Sequence, residues 1–305
     1  MMSKLILTHV VLPVLVVACV FVVPYNSFIA NVIAQTLLLI LFMAGYWEFF
    51  GQRFRSEFLG LLELILIIRM LHRASPGIVP RFNLLSAVIM LAIELFLLNL
   101  LVRIIIVKWK KDKGALEIQF PFKGSVYLIT DGGNSKLSRL MNYHYHSSAH
   151  RKKSTNNSMK FATDIIRIDP PYKSFFPKEN ENYPIFGETV YCPVDGTVFT
   201  IENSIDDNKP YAGNYPYNTG NTIVIKRDDL YFLLGHLMRG SVKVTPGETV
   251  TAGEEIALAG NSGMSERPHI HIQAIRSDSD NFWSGEGVSV RFRNENLYKN
   301  RIVQV

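Results

Sequence analysis

Two histidines separated by one residue, His269 and His271, are the first residues whose types and spacing could do chemistry. They lie in the run Pro268-His-Ile-His-Ile, where polar and apolar residues alternate as in a β-strand. Side chains at positions i and i+2 of a strand point to the same face of the sheet. Both imidazoles would then enter one groove, where one can bind a metal while the other handles a proton or an oxyanion.

Two other residues could complete such a site. His236 ends an apolar, strand-like run, a position where a lone histidine is usually structural. Asp164 stands within an otherwise apolar run, and an acid there needs a partner such as a cation. A hydrolytic zinc site needs three protein ligands and an open position, and two histidines with a carboxylate are a standard set. A further histidine can then transfer protons.

Short strands must position these residues. Past Lys113, glycine, proline and asparagine punctuate runs such as Val126-Tyr-Leu-Ile and Asn221-Thr-Ile-Val-Ile-Lys, which predicts an all-β domain over residues 115–305. Gly247 and Gly253 are expected at tight turns, where a positive φ is easy for glycine.

The first third of the chain has a different composition. Of the 305 residues 48% are hydrophobic and 19% are charged, and the mean hydropathy is +0.13, which argues against a disordered or purely soluble protein. The excess of apolar residues predicts a multi-pass α-helical membrane region over residues 1–114, with a lipid bilayer as partner. Its apolar runs are residues 5–23, 28–46, 82–107 and a shorter one, 58–68.

The number of spans, three or four, decides the topology. Three spans leave a cluster of arginines between residues 53 and 81 in the cytoplasm and export the C-terminal domain, whereas four keep the lysines at 108–113 and that domain inside. Two acids within these runs, Glu63 and Glu94, could mark a transport path. The favoured interpretation is that Glu63 faces the interface and that Glu94 pairs with a neighbouring helix.

The cysteine content and the net charge exclude several other classes of protein. Cys19 and Cys192 are the only cysteines, which excludes a disulfide scaffold and a Cys-based zinc finger. The sequence around Cys19 loosely resembles a lipoprotein cleavage box, but the apolar run continues past it, so an uncleaved helix is predicted. The net charge of +6 is typical of loop lysines and arginines in a membrane protein, and no nucleic acid is predicted as partner.

The soluble part resembles the M23 metallopeptidases of the lysostaphin and LytM type. The resemblance rests on Gly235-His-Leu, the paired Val-Gly hairpins of residues 242–253, Gly260-Asn-Ser-Gly and Pro268-His-Ile-His, and it covers about residues 120–303. It implies an antiparallel, barrel-sandwich-like β-sheet domain with a narrow groove. It also implies a zinc-dependent endopeptidase that cleaves peptide cross-links of peptidoglycan, with its domain on the extracytoplasmic side of a bacterial membrane.

The resemblance also implies residue roles. His271 and Asp164 would bind Zn²⁺, and His236 and His269 would be catalytic. The family's usual His-x-x-x-Asp motif is broken, because Lys160 stands four residues before Asp164. A subgroup of the family takes this ligand from an Asn-x-His motif further upstream. In this chain that motif is Asn142-Tyr-His, which assigns the zinc ligand to His144, with His146 and His150 as fallbacks.

Three other interpretations stay open. The first is a non-catalytic scaffold that binds cell wall or activates another wall hydrolase. Whether His144 reaches Asp164 and His271 distinguishes the peptidase from this scaffold. The second is a lipoyl- or biotinyl-type carrier domain, which needs a lysine at a hairpin tip and leaves the histidines unexplained. The third is a transporter or sensor with a ligand-binding β domain. The bond cleaved and the oligomeric state do not follow from the sequence.

Overall fold

The computed structural model describes residues 11, 14–15, 17–18, 28–44, 61–62, 64–66, 68, 84–109, 112–133, 142, 144, 157–170, 174, 176–213 and 218–305. The chain divides into two compact units, Met2–Ile106 and Val107–Val305. The predicted domain division at residue 114 stays a prediction.

The N-terminal unit contains two long apolar helices, α1 (Phe28–Ala44) and α2 (Leu84–Trp109). Within the described residues, only Leu84–Ile106 is long and apolar enough to cross a membrane, with a mean hydropathy of 2.5. Helix α1 has 17 residues, or about 26 Å at 1.5 Å per residue, and its apolar part is shorter still, Ala30–Leu41. The described residues therefore contain one candidate span, where the sequence predicts three or four. The runs 5–23 and 58–68 lie largely outside them.

The acid within α2 has a partner on the other helix. Glu94 is buried, and its Oε1 accepts a hydrogen bond of 2.8 Å from the hydroxyl of Thr36 on α1. This contact fits the interpretation that Glu94 pairs with a neighbouring helix rather than lining a transport path. Glu63 lies outside the described residues.

The C-terminal unit is built mostly from β-strands, as predicted. Its strands are β1 (Leu116–Glu117), β2 (Val126–Asp131), β3 (Thr163–Arg167), β4 (Thr189–Tyr191), β5 (Gly196–Glu202), β6 (Asn221–Arg227), β7 (Leu230–Leu237), β8 (Thr249–Val250), β9 (Glu255–Leu258), β10 (Ile270–Arg276), β11 (Glu286–Val288), β12 (Val290–Phe292), β13 (Glu295–Asn296) and β14 (Ile302–Gln304). Short 3₁₀ turns occur at Asn157–Met159, Asn180–Asn182 and Phe282–Ser284.

One antiparallel sheet dominates the described part of this unit. Its strands lie in the order β14-β2-β3-β10-β7-β6-β5-β8, and β11 also pairs with β10. Strands β4 and β9 form a separate ribbon, and β1, β12 and β13 form a small sheet in which β1 runs parallel to β12. The central strands β3, β10 and β7 carry the candidate site.

The two faces of the sheet have different neighbours. Ile270, Ile272 and Ala274 of β10 belong to the main apolar core. Alternation along the strand turns His271 and Gln273 to the opposite face, where Ile275 packs in a second apolar cluster. The candidate site therefore lies on the face of the sheet away from the main core.

Candidate metal centre

Asp164 and His271 are brought together by strand register. His271 of β10 is paired with Asp164 of β3 on one side and with Gly235 of β7 on the other. Directly opposed residues of antiparallel strands point to the same face. As a result the Nδ1 atom of His271 lies 3.0 Å from Oδ1 of Asp164.

His144 reaches the same carboxylate from a distant part of the chain. Its Nε2 atom lies 3.0 Å from Oδ2 of Asp164, and its ring stands edge-on to the ring of His271 at 4.8 Å between centroids. The Asn142 side chain, fully buried, donates to the carbonyl of Lys160 at 3.1 Å and so ties this segment to the start of β3. The alternative ligands His146 and His150 lie outside the described residues.

These three side chains form a potential metal site. One ligand atom from each of His144, Asp164 and His271 lies within 4.8 Å of the others. Two imidazole nitrogens and one carboxylate oxygen are a donor set that suits zinc, and three protein ligands leave a position open. The chemistry of the residues therefore fits the metal that the sequence implies.

His236 and His269 lie beside this set. Their rings are 4.6 Å apart between centroids, and the ring of His236 is 5.8 Å from that of His271. The Nδ1–H of His236 donates to the carbonyl of Ser262 at 2.8 Å, and that of His269 to the carbonyl of Arg267 at 2.8 Å. Because a carbonyl only accepts, each ring keeps its lone pair on Nε2. The Nε2 atom of His269 lies 3.8 Å from Oδ1 of Asp164.

A β-bulge directs His236 into the site. Between the pairs Asn221–Leu237 and Ile223–Leu234, the two residues Gly235 and His236 oppose one residue of β6. His236 has a φ of +61°, which is uncommon for a residue with a side chain and is typical of functional sites. The bulge turns the ring out of the regular alternation of the strand.

Two glycines let the turn at residues 260–263 approach this bulge. A Cβ atom on Gly220 would lie 2.4 Å from the carbonyl oxygen of Ser262, and one on Gly260 would lie 2.4 Å from the backbone nitrogen of Met238. These two glycines therefore allow the Gly-Asn-Ser-Gly turn to place the carbonyl of Ser262 against His236.

Burial and charge set the protonation of the site. Burial holds the pKa of His236 well below its usual value, helped by His269 and His271, and burial also lowers the pKa of His269. Burial opposes the charge on His144 too, but the carboxylates of Asp164 and Asp131 outweigh it and raise the pKa of His144 to about 9. Burial raises the pKa of Asp164, but its contacts with His144, His269 and His271 hold it well below the usual range.

Lys160 takes no part in the cluster. Its ammonium group forms an ion pair with Glu286. His144 instead occupies the space beside Asp164.

Two residues near the site were not found from the sequence. Oε1 of Gln273 lies 2.9 Å from Nε2 of His271, and Asp131 lies 4.0 Å from Nε2 of His144. The alternation His269, His271, Gln273 is a signal that could have identified the first. A bulge between β2 and β3 aligns Asp131 with Asp164, and the sequence carries no signal for it.

Comparisons with known proteins point to one family. The profile described as Peptidase family M23 matches residues 183–282. The chain is 31% identical over 113 residues to the peptidoglycan DD-endopeptidase ShyA of Vibrio cholerae serotype O1, covering 37% of this chain and 23% of the relative. It is 30% identical over 159 residues to the peptidoglycan DD-endopeptidase ShyB of the same organism, covering 50% of this chain and 32% of the relative. The chain therefore spans about a quarter to a third of the length of these curated relatives.

A solved structure described as a zinc-containing peptidase from Vibrio cholerae covers 55% of this chain and 37% of its own, at 21% identity and a TM-score of 0.31. The profile includes His236, His269 and His271 but not His144 or Asp164, so the grouping of the last two with His271 rests on geometry alone. Residues 183–282 of this chain thus match peptidase family M23.

Proposed function

We propose that the chain is a zinc-dependent endopeptidase that cleaves peptide bonds in peptidoglycan cross-links. The observation that carries this proposal is the convergence of His144, Asp164 and His271, with two further histidines beside them. The two peptidoglycan endopeptidases among its relatives support the substrate class.

His144, Asp164 and His271 would hold the zinc ion. When bound, zinc activates water as a nucleophile and polarises the scissile carbonyl. Asp164 supplies the negative charge that balances part of the ion's charge, and its two oxygens face the two histidines.

His236 and His269 would share the proton transfers. Both have an Nε2 lone pair available, because Nδ1–H is committed to a backbone carbonyl, and both are neutral at neutral pH because burial lowers their pKa. A neutral imidazole can take a proton from the attacking water and return it to the leaving amine. The charged form can donate a hydrogen bond to the oxyanion.

A non-catalytic scaffold is the second candidate, and the lysine at position 160 is the observation in its favour. The position of His144 supports the catalytic proposal, because it lies at hydrogen-bonding distance from Asp164 and would supply the missing ligand. A scaffold would have no need for five buried or half-buried ionisable groups in one cluster.

The test is hydrolysis of purified peptidoglycan by the full chain in detergent, with zinc supplied and with zinc removed by a chelator. We expect new amino termini to form only with zinc and to be lost in His269→Ala. Zinc-bound protein that releases no peptide from any peptidoglycan tested would refute the catalytic proposal and favour the scaffold.

We also propose that helix α2 anchors the chain in a bacterial membrane with the peptidase domain outside. The support is the length and apolar character of Leu84–Ile106 and the location of peptidoglycan. Protease added to spheroplasts, whose cytoplasmic membrane is intact, should digest the peptidase domain. Digestion only after the membrane is broken would contradict this orientation.

A further inference from the structure

Gln273 is a buried polar side chain in an apolar setting. It is 1% exposed and lies on the same face of β10 as His271. The residue opposite it on β7 is Leu233, which packs with Ile275 in the second apolar cluster. Its Oε1 lies 2.9 Å from Nε2 of His271, and its Nε2 has no hydrogen-bond partner among the described residues. A half-satisfied amide in such a place is costly, so its presence indicates a role tied to His271.

His271 has a fixed partner at each ring nitrogen. Nδ1 faces Oδ1 of Asp164 at 3.0 Å, and Nε2 faces Gln273. An ionised carboxylate only accepts, so without a metal the proton of a neutral His271 lies on Nδ1. When the Nδ1 lone pair binds a metal, the proton must lie on Nε2. His271 would therefore change tautomer if a metal were bound at Nδ1.

An amide can serve both tautomers. Its oxygen accepts and its NH₂ group donates, and a half-turn about its last bond exchanges the two without changing its shape. We infer that Gln273 is a positioning residue that donates to Nε2 of His271 in the metal-free site and accepts from Nε2–H in the metal-bound site. The orientation in the structure, with Oε1 toward His271, is the one that suits the metal-bound tautomer. The inference rests on the proposed function, because it requires a metal at Nδ1.

Neither a carboxylate nor an apolar side chain can both donate to Nε2 of His271 and accept from it. Glutamate can only accept, so it suits the metal-bound tautomer and would place His271 between two carboxylates in the metal-free site. Methionine fills the space in apolar surroundings but offers His271 neither a good donor nor a good acceptor. These two substitutions therefore separate hydrogen bonding from packing.

The experiment compares the full chain in detergent with Gln273→Met and Gln273→Glu. Zinc affinity is measured by competition with a chelator, and ¹⁵N-histidine NMR reports which nitrogen of His271 is protonated with and without zinc. Gln304→Met, on the edge strand β14, is the control for the chemical change.

We expect His271 of the wild type to carry its proton on Nδ1 without zinc and on Nε2 with zinc. Gln273→Met should bind zinc roughly 10–100-fold more weakly, as is usual when the partner of a metal-bound histidine is lost. Gln273→Glu, which can still accept from Nε2–H, should keep the wild-type affinity or exceed it. Gln304→Met should match the wild type.

Equal zinc affinity in Gln273→Met and the wild type would overturn the inference, since that is what a packing role predicts. If Gln273→Met does not fold, Gln273→Glu decides alone, and zinc affinity in it roughly 10-fold or more below that of the wild type overturns the inference. A wild-type chain that binds no zinc would instead refute the proposed function itself. The two failures are therefore distinguishable.

Discussion

Replacing Gly220 by alanine should damage catalysis while leaving the metal ligands in place. Gly220 has a φ of +62°, and a Cβ atom there would lie 2.4 Å from the carbonyl oxygen of Ser262 and 2.5 Å from its hydroxyl oxygen. That carbonyl accepts the Nδ1–H of His236. The substitution therefore pushes on the group that orients His236, and it touches none of His144, Asp164 or His271.

The size of the effect follows from two contributions. A residue other than glycine at a left-handed φ costs about 1–2 kcal/mol. Relieving the contact requires the Ser262 carbonyl to move by about 1 Å, and overpacking of this kind costs a further ~1–3 kcal/mol. A shift of about 1 Å in a catalytic group can lower kcat roughly 100-fold.

Gly240→Ala is the matched control. Gly240 has a similar φ of +70°, but nothing lies within 4 Å of a Cβ atom built there. It should therefore lose only the ~1–2 kcal/mol of backbone strain and keep its kcat. The difference between the two variants isolates the close approach of Ser262.

The assay is thermal unfolding, zinc content and peptidoglycan hydrolysis of both variants as full chains in detergent. Gly220→Ala should unfold roughly 2–12 °C below Gly240→Ala, from the usual 2–4 °C per kcal/mol in a domain of this size. It should also keep its zinc. Equal stability and equal kcat in the two variants would refute the packing argument, and loss of zinc from Gly220→Ala alone would refute the separation of His236 from the metal ligands.

Other substitutions and a pH measurement test separate parts of the site. His269→Ala should keep zinc and lose roughly 10²–10⁴-fold in kcat, as measured by hydrolysis at saturating zinc; unchanged kcat would exclude a catalytic role. Lys160→Ala should keep full zinc occupancy and change stability by less than about 1 kcal/mol, because its partner Glu286 is exposed; loss of zinc would make Lys160 part of the centre. Zinc binding near pH 7.5 should release about one proton, because the pKa of metal-free His144 is raised to about 9 and the metal requires the neutral ring. Zinc affinity should then fall as the pH drops below 9, and calorimetry in buffers of different ionisation enthalpy that shows no proton release would contradict this.

Strand alternation made part of the site predictable. The spacing of His269 and His271 places both on one face of a strand, and the structure has them on and beside β10 as expected. Asp164 was predictable as an acid in an apolar run that must find a partner. Register between β3 and β10 supplies that partner, and no local pattern in the sequence fixes register between strands so distant along the chain.

Other features depend on contacts that a sequence pattern does not contain. The bulge that turns His236 inward depends on Gly235 and on the close approach of Ser262, which are tertiary features. The tie from Asn142 to the carbonyl of Lys160 explains why an Asn-x-His segment can deliver His144, and only the folded chain reveals it. In the N-terminal unit, hydropathy predicts several apolar runs, whereas among the described residues only Leu84–Ile106 is long and apolar enough to cross a membrane.

The most direct test of the central claim is the zinc content of the full chain in detergent, measured beside His144→Ala and Lys160→Ala. The account predicts one zinc per chain in the wild type and in Lys160→Ala, and loss of zinc in His144→Ala. Retention of zinc by His144→Ala with wild-type affinity would contradict the assignment of His144 as a ligand, and a wild type that takes up no zinc would contradict the metal centre altogether.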